Sequence, residues 1–167
     1  MPFTIKYPSL YGSNHGFRKD VLIEIGGFDE EFDYFLDETD VCLRIIDKGY
    51  IIRQLDFGFM HHKYAPSHIR NVEKILTNRY SVIKNKIYFS VKNASGIHPF
   101  GRILHEAESF TNAHGQEVNG HYKNNKLTKS DVDTYWEDVE KAWQVGLINS
   151  LTKERKLMSP EKLQNYS

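Results

Sequence analysis

Residues 36–50 read Leu36-Asp37-Glu38-Thr39-Asp40-Val41-Cys42-Leu43-Arg44-Ile45-Ile46-Asp47-Lys48-Gly49-Tyr50, and Gly26-Gly27-Phe28-Asp29-Glu30 precedes them. Three carboxylates, Asp37, Glu38 and Asp40, crowd the turn that leads into a predicted helix. The unpaired N–H groups and the dipole at a helix start favour negative charge there, so these acids can stay ionised. An ionised, positioned carboxylate is what a general base for a hydroxyl requires. The same acids are also good capping chemistry, and spacing alone does not separate the two roles. The helix is predicted from about Asp40 to Lys48, with Thr39 as N-cap and Gly49 just past its end. Val41, Cys42, Ile45 and Ile46 form its buried stripe.

Upstream, the first eleven residues read as an extended tail of something begun earlier. A short helix is predicted from Arg18 to Ile25, with Val21, Leu22 and Ile25 on one face, stopped by Gly26-Gly27. Downstream, Tyr50–Leu55 has the β-branched content of a strand. Met60-His61-His62-Lys63 follows it. Adjacent histidines on a strand point to opposite faces, so at most one of the two can serve a site.

Pro66-Ser67 is expected to open a long amphipathic helix carrying Ile69, Val72, Leu76, Tyr80, Ile83, Ile87 and Val91, with Gly96 beyond it. Arg70, Lys74, Arg79, Lys84, Lys86 and Lys92 make that helix basic. Such a face is either solvated against an acidic neighbour or in contact with an anionic membrane surface or phosphate-bearing acceptor. From Gly96 to Lys129 the polar sequence predicts loops and one short helix at Arg102–Phe110. Ser130-Asp131-Val132-Asp133 resembles a capping box. After it, Val132, Trp136, Val139, Trp143 and Leu147 trace a helical stripe, with both indoles read as packing anchors rather than a sugar platform.

Composition narrows the functional classes. The 167 residues suit one domain of ordinary size, and 22 basic against 22 acidic residues leave no net charge. A dedicated nucleic-acid binder would need a basic excess to neutralise phosphates. Cys42 is the sole cysteine, which excludes an intramolecular disulfide and a Cys-based zinc site, and fits a reducing cytosol. His61, His62 and His68 are neighbours, but no HExxH pattern accompanies them. No stretch approaches the ~18 apolar residues of a spanning helix.

Taken in order, the pieces resemble the C-terminal portion of a family 2, GT-A type glycosyltransferase of the bacterial cell-surface glycan kind. The resemblance covers roughly residues 8–70 and is carried by Gly12 and Asn14, Gly26 to Glu30, Asp37-Glu38-Thr39-Asp40, Arg44 and Gly49-Tyr50. It implies an α/β, helix-rich fold: a partial GT-A nucleotide-diphospho-sugar transferase domain over residues 1–66, and a helical extension over 67–167. It implies transfer of a sugar from a nucleotide-diphosphate donor to an acceptor hydroxyl, with inversion and without processivity, since the Gln-x-x-Arg-Trp motif of processive synthases is absent.

The usual Glu-Asp order is reversed here, so either Glu38 or Asp37 stands in the base position. Asp40 would cap and support the site beside Gly12, Asn14 and Arg44, while His61 or His62 would face the metal and diphosphate. A divalent metal, Mn or Mg, would be held mainly by an N-terminal nucleotide-binding half that this sequence lacks. Asp131-Val132-Asp133 has the letters of that half's acidic pair but the context of a helix cap.

The implied partners are the nucleotide-sugar donor and a glycan or lipid-linked acceptor, together with an N-terminal half chain or a second copy, and no nucleic acid. An expected cytoplasmic location, with peripheral contact at the inner membrane face through the basic helix, follows from where nucleotide sugars are available. The alternative is a non-catalytic partner- or acceptor-binding module. A strand without its neighbours leaves an open edge and an uncovered apolar face, so a partner chain, self-association or marginal stability is expected.

Overall fold

The computed structural model describes residues 8–63 and 69–158. The chain forms two compact units, Met1–Lys63 with Arg155–Ser167, and Tyr64–Glu154.

The first unit is built on α1 (Lys19–Glu24) and α2 (Asp37–Asp47). Val21 and Ile25 of the α1 region pack on Val41 and Ile45 of α2, with Phe17, Leu22 and Tyr50 against the edge. Gly26 and Gly27 both have positive φ, so the predicted stop after α1 is a true left-handed turn. Helix α2 begins three residues before the expected Asp40. Phe35 and Leu36 take positive φ of 76° and 70°, which turns the chain so that Asp37 is already helical. The N-cap is Leu36, with no side-chain cap bond, rather than Thr39. Residues 155–158 return to this unit: Glu30 N–H donates to the Lys156 carbonyl at 3.1 Å and Met158 N–H to the Gly26 carbonyl at 2.9 Å.

The second unit comprises α3 (Tyr80–Ala94), α4 (Phe100–Lys123) and α5 (Lys129–Thr152). Ile83 and Ile87 of α3, Ala107 and Val118 of α4, and Val132, Tyr135, Val139 and Ala142 of α5 share one core. Close approach sets its geometry. A Cβ built on Gly146 would lie 2.9 Å from the Lys84 carbonyl oxygen and 3.0 Å from Ile87 Cβ, so α5 meets α3 nearly backbone to backbone.

Several expectations are corrected here. The start of the long basic helix at Pro66-Ser67, and His68, lie outside the described residues. Over 69–79 the chain is not helical: Asn71 N–H donates to the Ile75 carbonyl, Thr77 N–H to the Ile69 carbonyl, and the Asn71 side chain accepts from Ile75 N–H at 3.0 Å. An Asn that binds its own neighbourhood's backbone competes with the helix ladder, and α3 starts only at Tyr80. Where loops were expected after Gly96, α4 runs for 24 residues. Its buried line, Ile103, Ala107, Thr111, Gly115 and Val118, uses small residues for close packing and so lacks a strong apolar signature. The capping box belongs to Thr128 and Asp131, two residues upstream of the predicted one. The buried face of α5 runs through Val132, Tyr135, Val139, Ala142 and Gly146, leaving Trp136 on its flank.

The largest correction concerns fold class. Tyr50–Leu55 forms no strand, and among the described residues there is no sheet, only isolated bridges at Arg70–Leu76 and Ser95–His98. A GT-A domain is organised on a sheet, so the resemblance in residues 8–70 does not extend to architecture. The partial α/β fold is replaced by a nearly all-helical one. The metal-dependent glycosyl transfer, and the transferase class inferred from it, lose their scaffold. No described helix is long and apolar enough to cross a membrane.

Candidate functional site

Three features of the first unit bear on function: the acidic turn at α2, the ion network behind it and the groove beside it. At the turn, Asp37 and Glu38 are half-buried neighbours. Gly12 is brought against them, since a Cβ built there would fall 2.0 Å from Glu38 Oε1. Ser9 Oγ lies 2.8 Å from Thr39 Oγ1, tying the N-terminal segment to the same helix start.

Partial burial, reinforced by a hydrogen bond with Glu38 and by its charge, pushes Asp37 up to about 6. Asp37 can therefore take up and release a proton close to neutrality. A carboxyl raised in the folded state contributes stability that is fully present below its ordinary value of 3.8 and is lost as pH rises through about 6. Asp37→Asn should thus stabilise the protein at pH 7 by about 1 kcal/mol, the full shift being discounted because the group is half exposed to solvent. The gain should vanish below pH 4. Thermal melts across pH 3.5–7.5 check this, and a variant less stable at pH 7 would refute it.

Behind the turn, Asp40 does not cap the helix; it is fully buried in an ion network. Arg44 Nε donates to Asp40 Oδ2 at 2.8 Å, Arg44 Nη1 donates to the Ile25 carbonyl at 2.9 Å, and Arg155 pairs with Asp40 Oδ1. Arg155 also lies 3.5 Å from Asp29, whose Oδ1 accepts from the Glu31 and Lys156 backbone N–H groups. Lys156 Nζ and Glu31 complete the network at 2.7 Å. Arg44 and Asp40 were expected at a site; their observed role is to fasten the returning tail to α2. Sequence reasoning missed Arg155 and Asp29 because their partners lie more than a hundred residues apart, with no local pattern joining them.

The groove encloses about 940 Å³ between residues 9–18 and 50–59. Asn14 Nδ2 donates to the Gly58 carbonyl at 3.0 Å across it, and His15 Nδ1 lies 2.8 Å from the Tyr11 carbonyl. Large apolar side chains at this face are left to solvent: Tyr11 is 85% exposed, Ile51 78%, Phe57 72% and Phe59 92%, with Leu55 and Met60 also exposed. His61 and His62 continue the same exposed stretch. Gly12 and Asn14 are thus drawn toward the acidic pair and the groove respectively, whereas His61 and His62 are not among the residues lining the groove.

No family model, curated protein or solved structure matches this chain. Among the described residues, no group of three or more His, Cys, Asp or Glu side chains converges to hold a metal. Asp37 and Glu38 offer two adjacent carboxylates, and among the described residues no third His, Cys, Asp or Glu joins them.

The cations expected to form a basic face on the second unit are largely engaged elsewhere. Lys84 is buried, Lys86 pairs with Glu106 at 2.8 Å, and Arg79 is buried against His114 and Glu117. Burial, with the nearby Arg79 charge, holds His114 below its ordinary value.

Proposed function

We propose that this chain is a polypeptide-docking module whose working face is the apolar groove of the first unit. The observation that carries the reading is the exposure of Tyr11, Ile51, Leu55, Phe57 and Phe59 around a single concavity. Isolated exposed apolar residues are ordinary, but a contiguous group around a cleft marks an interaction surface.

The backbone supplies the second half of the argument. Residues 51–57 make no backbone–backbone hydrogen bond among the described residues, although Ile51-Ile52 and Leu55 give them strand character. An occupant that brings both apolar side chains and a row of N–H and C=O groups satisfies both needs. An extended polypeptide laid along 51–57 does so by strand addition. The same logic explains the missing strand: β-propensity measures fit to a neighbour, and here the neighbour belongs to another chain.

A photo-cross-linking amino acid placed at Phe57 or Phe59, in cells that naturally make the protein, tests this. Both positions should give adducts to a polypeptide, while Tyr122, exposed on the second unit, should give none. Absence of adducts from 57 and 59 would refute the docking role.

A further inference from the structure

We propose that the polypeptide accepted by this groove is acidic, and that Arg53 is the residue that reads its charge. The inference rests on the docking reading above and adds the chemistry of the partner.

The lining of the groove carries His15, Arg18 and Arg53 and no Asp or Glu; exposed Asp56, in the same stretch, lies outside the lining. For a chain whose acidic and basic residues are equal in number, a one-signed lining is a local choice. The two arginines differ. Arg18 is committed: its Nε donates to Asp20 Oδ1 at 3.1 Å, and its guanidinium pairs with the same carboxylate through Nη2. Tyr50, also in the lining, spends its hydroxyl on Glu24, donating at 2.7 Å.

Arg53 is exposed and forms no ion pair among the described residues, so its charge is available to an occupant. It sits within the 51–57 stretch, between Ile51 and Leu55. On an extended backbone these three positions share one face, about 7 Å from one to the next. A peptide added along this edge whose every second residue runs apolar, acidic, apolar, as in a Val-Ser-Glu-Ser repeat, would set its apolar groups against Ile51 and Leu55. A carboxylate would then fall opposite Arg53. Cross-strand pairs of opposite charge are favourable, and a guanidinium suits bidentate carboxylate contact.

The discriminating experiment uses the intact chain and three synthetic peptides of equal length with the repeats Val-Ser-Glu-Ser, Val-Ser-Lys-Ser and Val-Ser-Gln-Ser, which differ only in the group set opposite Arg53. Binding is read by calorimetry at low and physiological salt, and by hydrogen exchange of the 51–57 amides. The Glu-bearing peptide should bind tightest, protect those amides, and weaken as salt rises. Arg53→Glu should weaken binding of the Glu-bearing peptide about tenfold and raise that of the Lys-bearing one correspondingly, since reversing a rim charge reverses its steering. Arg53 is exposed and unpaired, so the variant should fold as the parent does.

Equal binding of all three peptides, unaffected by Arg53→Glu, would overturn the acidic preference while leaving a docking groove in place. Failure of every peptide to protect residues 51–57, together with no cross-link from Phe59, would overturn both.

Discussion

Asp40→Ala should destabilise the first unit by about 3–5 kcal/mol, the range for removing one partner of a buried ion pair. Asp40 is wholly inaccessible and receives Arg44 from one side and Arg155 from the other. Deleting it leaves the Arg44 guanidinium, 11% exposed, without its carboxylate, and Arg155, 20% exposed, with the longer contact to Asp29 at 3.5 Å. The lost hydrogen bonds add to the desolvation already incurred. Because the network also holds residues 155–158, the tail should detach along with α2. Native-state hydrogen exchange should show the α2 amides opening at far lower free energy, with those of α4 unchanged. Asp40→Asn keeps the shape and part of the bonding and should cost less, about 2 kcal/mol. A mutant that retains full protection of α2 would mean the network contributes little.

The second large effect is expected at Gly146. Valine there must place its Cβ 2.9 Å from the Lys84 carbonyl oxygen and 3.0 Å from Ile87 Cβ, and neither neighbour is the free end of a flexible side chain. Overpacking of this kind typically costs 1–3 kcal/mol, and the β-branch adds a few tenths in a helix, so about 3 kcal/mol is expected. Gly120 is the control. It lies in α4 with nothing within 4 Å of a built Cβ, and alanine there should stabilise by about 0.5–1 kcal/mol through helix propensity alone. Trp136 and Trp143 are the only tryptophans and both lie on α5, so urea titration followed by their fluorescence reports this unit directly. A Gly146→Val protein as stable as the parent would show that α3 and α5 can separate without loss.

The legible parts of this chain were those governed by neighbours in sequence. Gly26-Gly27 stop a helix because only glycine takes two successive left-handed conformations at low cost, and both do so here. Val41 and Ile45 recur at helical spacing and face Val21 and Ile25. Thr128 and Asp131 do form a capping box, although the reading placed it two residues late. By contrast, the sequence of α4 predicts mostly loop, since glycines, asparagines and histidines lower its helix propensity. Gly115 lies inside it because the edge of the Trp136 ring occupies the space a side chain would need, at 3.1 Å from a built Cβ. That contact joins residues on two different helices and leaves no periodic trace.

The candidate site shows the same division. The acidic run at 37–40 was visible at once, but its parts separate in three dimensions. Asp37 and Glu38 are hydrogen-bonded neighbours beside Gly12, while Asp40 turns inward to Arg155. The strand character of 50–55 was equally visible, and it led to a sheet that the described residues do not form.

By itself, then, the sequence determined the helices with clear periodicity, their glycine stops and the positions of the charges, because each depends on residues within a turn or two. Tertiary structure alone decided which carboxylate is buried, which small residues mark helix contacts, and that the apolar residues of 51–59 stay uncovered. Those outcomes depend on which distant segments meet, and a strand in particular exists only when another backbone comes within hydrogen-bonding distance.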